Sequence, residues 1–166
     1  MRAHLNASRP VATDPWPAIE QFLREPSDWA PLPASRLADG RTLTTVHMGP
    51  LLHRVALTVG EPWSLPDAVS RPIAWQPCDS NGVPTHERML PGFDGRLTLR
   101  HEPGTIQMIL EGSYVPPGGA LGAAADRLLL HRSGEATARA LVEDIVTRLL
   151  TASIPPPIHS EEGEHR

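Results

Sequence analysis

Eight histidines in a chain of 166 residues raise the question of a metal site. His47 and His53 flank a predicted turn at Gly49-Pro50, and the alternation of side chains along strands would point them to opposite faces of a hairpin. No two of the eight have the spacing of metal ligands on one helix or in one short loop. We therefore predict no metal site, and no motif indicates an organic cofactor.

His131 is the histidine best placed for a functional role. It shares one stripe of a predicted helix with Leu128 and Val142. A buried imidazole there could orient a ligand or transfer a proton. A lone histidine on a helix is more often structural, bonded to a backbone carbonyl, so its role depends on whether it faces the interior.

The other reactive side chains form no recognisable catalytic set. Glu111 and Asp126 could pair with each other or with nearby arginines, and surface pairing is the commoner outcome for such groups. Cys78 is the only cysteine, which excludes an intrachain disulfide, and no histidine or basic cluster near it in sequence would activate its thiol. We assign no catalytic residue.

Three glycines, Gly118, Gly119 and Gly122, precede the same predicted helix. Backbone N–H groups at a helix start attract anions. No Gly-Lys-Ser or Gly-Lys-Thr follows, and the dinucleotide fingerprint is incomplete. A tight turn and close packing explain these glycines more simply.

The periodicity of apolar residues predicts the elements that position these groups. Residues 3–7 form a weak first strand, and Trp16, Ile19 and Phe22 have helical spacing in a helix that ends near Pro26. We expect Trp16 and Trp29 to anchor the early helical segments. Strand-like alternation follows in the runs 42–48, 51–59, 69–76, 87–101 and 105–115, joined by turns rich in glycine and proline.

A proline-free helical pattern then extends from residue 120 to about residue 150. Its inward stripe consists of Ala124, Leu128, His131, Glu135, Ala138, Val142, Ile145 and Leu149. Ser133-Gly134, in the middle, predicts a kink or a weakened turn. Residues 152–166 are proline-rich and then acidic, and we predict a disordered tail after a single domain of residues 1–151.

The last strand offers two alternative faces. Met108, Leu110 and Tyr114 share one face, whereas Glu111 lies on the other. The register of the sheet decides whether Glu111 or Tyr114 points inward.

Residues 110–119, Leu-Glu-Gly-Ser-Tyr-Val-Pro-Pro-Gly-Gly, with Leu121-Gly122 and the run from Asp126 to Arg132, resemble the last strand and last helix of START-like proteins of the SRPBCC superfamily. The resemblance is specific mainly over residues 110–150. It implies an α+β helix-grip fold, in which a curved antiparallel sheet wraps around a long C-terminal helix and leaves a cavity between them. The superfamily includes lipid carriers, hormone binders, polyketide cyclases and chaperone-interacting domains, so the fold alone does not select a function.

The resemblance implies that a small hydrophobic molecule is bound between the sheet and the helix. We expect the lining to include Trp75, Met108, Leu110, Tyr114, Leu128, His131 and Val142. Trp63 could form a further aromatic wall or could belong to a plain core. One alternative is an enzyme of the polyketide cyclase, aromatase or dehydratase type, which would need a titratable group in the cavity. Another is a filled interior in a protein that acts through protein contacts.

Composition excludes other classes of partner. The net charge is -4, and all 15 basic residues are arginines scattered along the chain, which disfavours nucleic acid. No run approaches the roughly 20 apolar residues that cross a bilayer, and the N-terminus lacks a signal-peptide core. We therefore expect no membrane insertion and a cytoplasmic location, while the oligomeric state is left open.

Overall fold

The computed structural model describes residues 2–10, 16–48, 50–85, 92–115 and 127–152, with side chains in these ranges except for 2–10, Met48, Val115, 127–134 and Ala152. Within these ranges, eight strands and three helices follow one another. They are β1 (Arg2–Pro10), α1 (Trp16–Leu23), α2 (Pro26–Trp29), β2 (Ser35–Arg36), β3 (Thr42–Met48), β4 (Leu51–Val59), β5 (Trp63–Leu65), β6 (Ala68–Pro77), β7 (Gly92–Glu102), β8 (Thr105–Val115) and α3 (Arg127–Ala152).

The strands form one antiparallel sheet in the order β1-β8-β7-β6-β4-β3-β2, and β5 pairs with β6 outside this path. Hairpins connect β3 to β4 and β7 to β8, because alternating apolar residues are interrupted there by turn residues. In the second hairpin Gly104 has a φ of +75°, a conformation that glycine adopts without steric cost. The predicted runs 42–48, 51–59 and 105–115 coincide with β3, β4 and β8.

One face of the sheet is apolar and buried. Alternate residues of β4, β6, β7 and β8 form it: Val55, Leu57, Val69, Ile73, Trp75, Phe93, Leu97, Leu99, Ile106, Met108, Leu110 and Tyr114. The pairing of β7 with β8 settles the open question of register, since Tyr114 lies opposite Phe93 on this inner face. Glu111 consequently points outward.

Helix α3 covers the inner face. Its buried residues, Ala138, Leu141, Val142, Ile145, Val146 and Leu149, include the predicted apolar stripe in the half of the helix with described side chains. The helix contacts β1, β3 and β8 as well as α1 and α2, so the sheet surrounds it from both edges. The backbone is helical through Ser133-Gly134. Burying a side chain such as Val142 or Ile145 stabilises the fold by about 1.5–3 kcal/mol.

The early helices partly depart from expectation. Trp29 is buried and packs on Phe22 with ring centroids 5.2 Å apart, as expected of an anchor. Trp16 is instead 63% exposed, because the buried side of α1 is formed by Ala18, Ile19 and Phe22.

Two predictions about segments lie partly or wholly outside the described residues. Of the predicted strand 87–101, residues 87–91 are outside them and β7 begins at Gly92. Of the helix predicted from residue 120, the described part begins at Arg127, and the predicted tail is outside them from residue 153 onward.

Candidate functional site

Three aromatic rings form a cluster on the inner face where β6, β7 and β8 lie side by side. Trp75 stacks on Phe93 with ring centroids 4.3 Å apart and an interplanar angle of 13°. Tyr114 meets both rings edge-on, with centroids 5.3 Å from Phe93 and 6.3 Å from Trp75. Offset stacking and edge-to-face contacts are the preferred geometries of aromatic pairs, so the cluster is a well-packed apolar surface.

A pair of glycines makes room for this cluster. Gly95 and Gly112 are directly paired across β7 and β8 on the same face as Phe93 and Tyr114. A Cβ on Gly95 would come within 2.6 Å of the Gly112 Cα and 2.8 Å of the Phe93 Cζ. The Phe93 ring therefore lies over bare backbone, which only glycine allows at both positions.

Tyr114 carries the polar group of the cluster. It retains 8% exposure, whereas Trp75 and Phe93 are at 1% and 2%. Burial, and to a lesser extent the negative charge of Glu135 on α3, raises the pKa of the Tyr114 hydroxyl well above its usual range. At neutral pH the hydroxyl is therefore protonated and can donate a hydrogen bond, but it is a poor base.

The remaining predicted lining residues with described side chains lie deeper in the core. Met108, Leu110 and Val142 have no exposed surface and belong to the same apolar cluster as Trp75 and Tyr114. Leu128 and His131 are in the helical backbone of α3, and their side chains are outside the described set. The structure thus brings five of the seven into one cluster, of which Tyr114 is the least buried member.

Other candidates from the sequence are placed elsewhere. Glu111 forms an ion pair with Arg96 of β7, with Nη2 and Oε2 2.8 Å apart, on the outer face. Trp63 is 39% exposed on β5 and joins neither a cavity wall nor the core. Cys78 is buried. Among the described residues, no three of the His, Cys, Asp and Glu side chains are close enough to hold a metal ion.

The histidines flanking the first hairpin lie on opposite faces, as predicted. His53 pairs with Val46, a residue of the buried face, whereas His47 pairs with Leu52 on the other face. Within the described part of the chain, no helix is both long and apolar enough to cross a bilayer.

Sequence reasoning missed the buried charge at this face, Arg71 of β6. Its Nη1 donates to the carbonyls of Phe22 at 3.0 Å and Arg24 at 2.9 Å, and its Nε donates to Gly60 at 3.0 Å. The guanidinium also lies 5.8 Å from the centre of the Trp29 ring. Burial lowers the pKa of this arginine, although it stays charged at neutral pH. The sequence does indicate that Arg71 is buried, because residues 71, 73 and 75 share one face of a strand.

Arg71 connects the sheet to the C-terminal end of α1. The last carbonyls of a helix have no partner within the helix, and a cation satisfies them both by hydrogen bonding and by charge. Its role is therefore structural, and it fixes α1 and α2 beside α3.

Solved structures share this architecture. A crystal structure of Ara h 8.0201 is 10% identical over 91% of this chain and 99% of that chain, with a TM-score of 0.51. A solution structure of a protein from Arthrobacter aurescens is 11% identical over 98% and 92%, also with a TM-score of 0.51. Zhui aromatase/cyclase from a Streptomyces species is 13% identical over 92% of each chain, with a TM-score of 0.42.

No protein-family model and no curated protein matches the sequence. The two structures with a TM-score of 0.51 nevertheless establish the fold, which is the helix-grip fold. The resemblance at residues 110–150 predicted this fold correctly. At such low identity the comparison extends to the fold alone.

Proposed function

We propose that this protein binds a small, mainly apolar molecule between the sheet and α3, at the end marked by the aromatic cluster. The observation that carries the proposal is the packing of Tyr114 against two stacked rings on the inner face, where Tyr114 is the least buried of the three. Aromatic walls with one polar group are typical of sites for apolar ligands, where the polar group sets the orientation.

The opposite end of the interior is a less suitable place for a ligand. There the C-terminal half of α3 packs directly on the sheet through Leu141, Ile145 and Leu149, all at 1% exposure or less. A ligand at that end would have to displace close-packed side chains, which costs more than it gains. The ligand therefore occupies the Tyr114 end, with Met108 and Leu110 as the firm base beneath it.

The polar group of the aromatic cluster limits which functional groups the ligand carries. A protonated Tyr114 hydroxyl donates a hydrogen bond to an acceptor such as a carbonyl or ether oxygen. The stacked Trp75 and Phe93 rings favour a flat apolar body. We expect a molecule of aromatic or fused-ring character with an oxygen acceptor at one end.

Native mass spectrometry of the freshly purified protein, followed by organic extraction, tests this proposal. A stoichiometric apolar adduct is expected, and Tyr114→Ala should lose it while Ser113→Ala, the exposed neighbour on the other face of β8, should keep it. A clean apo mass, with no binding of a panel of aromatic compounds and lipids, would instead support the filled-core interaction protein.

A second candidate function is an enzyme of the cyclase or dehydratase type. It is favoured by one observation, the inward hydroxyl of Tyr114, which could stabilise developing negative charge on a substrate oxygen. Incubating the extracted compound with fresh protein tests it. Conversion that is lost in Tyr114→Phe while binding is kept would identify an enzyme, and an unchanged compound would identify a carrier.

A further inference from the structure

A cleft lies on the outer side of the sheet, where β2, β3 and β4 meet the segment 78–84. It has a volume of about 170 Å³ and is lined by Pro33, Ser35, Leu43, Thr44, Thr45, Arg54 and Ser80. Arg54 lies directly opposite Thr45 in the pairing of β3 with β4, on the face away from the core. The cleft is thus separate from the interior between sheet and helix.

Both walls of the cleft are held in place by hydrogen bonds. On one side the hydroxyls of Thr44 and Thr45 donate to the carbonyls of Pro31 and Leu32, the latter at 3.1 Å, and fix the segment that carries Pro33. These bonds tie the wall to a central part of β3. A wall fixed in this way needs no reordering when a ligand binds, which lowers the entropic cost of binding.

The second wall is the turn that carries Ser80. The carboxylate of Asp79 accepts the N–H groups of Asn81 at 2.8 Å and Val83 at 2.9 Å, and Arg41 donates to the Gly82 carbonyl at 3.0 Å. Asp79 is therefore already engaged with backbone donors, and the other carboxylate in this region, Asp39, is paired with Arg41 at 2.6 Å. Neither forms an ion pair with Arg54 in the described part of the chain.

The donors that face the cleft have no acceptor within the part of the chain that the structure describes. The Arg54 guanidinium makes no ion pair there, although Arg36, Arg41 and Arg96 each pair with a carboxylate. The hydroxyls of Ser35 and Ser80 likewise make no hydrogen bond there. Arg54, Ser35 and Ser80 all line one small volume, which has Pro33 and Leu43 as its apolar side.

We propose that this cleft binds a small organic carboxylate with a short apolar stem. A guanidinium pairs with a carboxylate through two parallel N–H donors, and the serine hydroxyls add further donors to the same oxygens. A single cation matches a monoanion better than a doubly charged phosphate. The volume is below the ~300 Å³ at which pockets for drug-sized ligands begin, so the stem is limited to a few carbons.

Titration of the intact protein with sodium butyrate, followed by two-dimensional ¹H–¹⁵N NMR, tests this proposal. We expect saturable shifts at the Arg54 side-chain Nε–H and the Ser35 and Ser80 amides. Butanol, which has the same stem without the charge, should produce much smaller shifts. Acetate should bind more weakly than butyrate, because it lacks the carbons that contact Pro33 and Leu43, and inorganic phosphate should bind more weakly as well.

Arg54→Gln keeps most of the side chain and removes the charge, so it should weaken butyrate binding about tenfold or more. Arg139→Gln, an exposed arginine on α3, is the matched control and should leave binding unchanged. Ser80→Ala removes one hydroxyl donor and should weaken butyrate binding by a smaller factor than Arg54→Gln does. Equal shifts with butyrate and butanol, phosphate binding tighter than butyrate, or binding that survives Arg54→Gln would overturn the proposal, and none of these results bears on the interior site.

Discussion

Gly95 and Gly112 lie directly opposite each other in adjacent strands, so close that a Cβ on either would meet the Cα of the other at 2.6 or 2.7 Å. The two residues remove both side chains from one position of the inner face, and the Phe93 ring occupies the vacated space. A sheet can bend sharply at such a point, because no side chains keep the strands flat. The position of the aromatic cluster therefore depends on this pair.

Gly112→Ala should destabilise the protein by about 3 kcal/mol or more, since the new methyl group would collide with the backbone of β7 and with the Phe93 ring. Gly40→Ala is the matched control. Gly40 has open space around its Cβ position and a φ of +86°, so its cost of about 1 kcal/mol comes from the backbone alone. Urea unfolding of both variants measures the difference between their free energies of unfolding. Equal losses of stability would show that the close approach of β7 and β8 adds no cost at Gly112.

Arg71→Met should lower the free energy of unfolding by about 3 kcal/mol, because it leaves the carbonyls of Phe22, Arg24 and Gly60 without their donor. The loss should be local at first, so amide hydrogen exchange in α1 and α2 should accelerate more than exchange in β8. Arg139→Met, on the exposed side of α3, serves as the control. Uniform acceleration across the sheet would argue against a specific link between Arg71 and α1.

The single tyrosine makes the pKa of Tyr114 measurable by ultraviolet absorbance. Because burial raises this pKa in the folded state, tyrosinate absorbance should not appear near the ordinary value of about 10 while the protein is folded. The unfolded chain ionises first, so the contribution of Tyr114 to stability should be constant below pH ~10 and should be lost as the pH rises further. A normal titration curve with intact circular dichroism would contradict the buried position.

The ion pair between Arg96 and Glu111 should contribute little to stability. Their side chains are 51% and 33% exposed, and cross-strand pairs at such sites are worth about 0.2–1 kcal/mol. A double-mutant cycle with Arg96→Gln and Glu111→Gln should give a coupling energy in that range that falls further at high salt. Neither variant should affect binding at the Tyr114 end, and a strong effect there would reopen a functional role for Glu111.

The strand pairs were predictable because their signals are local. Residues 42–48, 51–59 and 105–115 alternate apolar and polar side chains between turn residues, and the structure has strands at those bounds. Strands β2 and β5 were missed, since two or three residues are too few to show a period. They exist because β3 and β6 offer backbone partners, which is a tertiary effect.

The candidate site was predictable in part. Placing Trp75, Met108, Leu110, Tyr114 and Val142 in the interior required only the period of each element, whereas the contact of Trp75 with Phe93 and Tyr114 depends on the register of three strands. Arg71 was overlooked because a charged residue on an apolar face looks like an exception until its acceptors, which lie about fifty residues earlier, are known.

The two-residue turn at Pro103-Gly104 limits which insertions the chain tolerates between β7 and β8. It fixes the register that brings Gly95 opposite Gly112 and Phe93 opposite Tyr114. One added residue that shifted β8 by a single position, with the turn length kept, would bring Glu111 opposite Gly95 and therefore onto the core face. Variation in length among related sequences should therefore be rare in this two-residue turn, although loops elsewhere on the surface are free to grow.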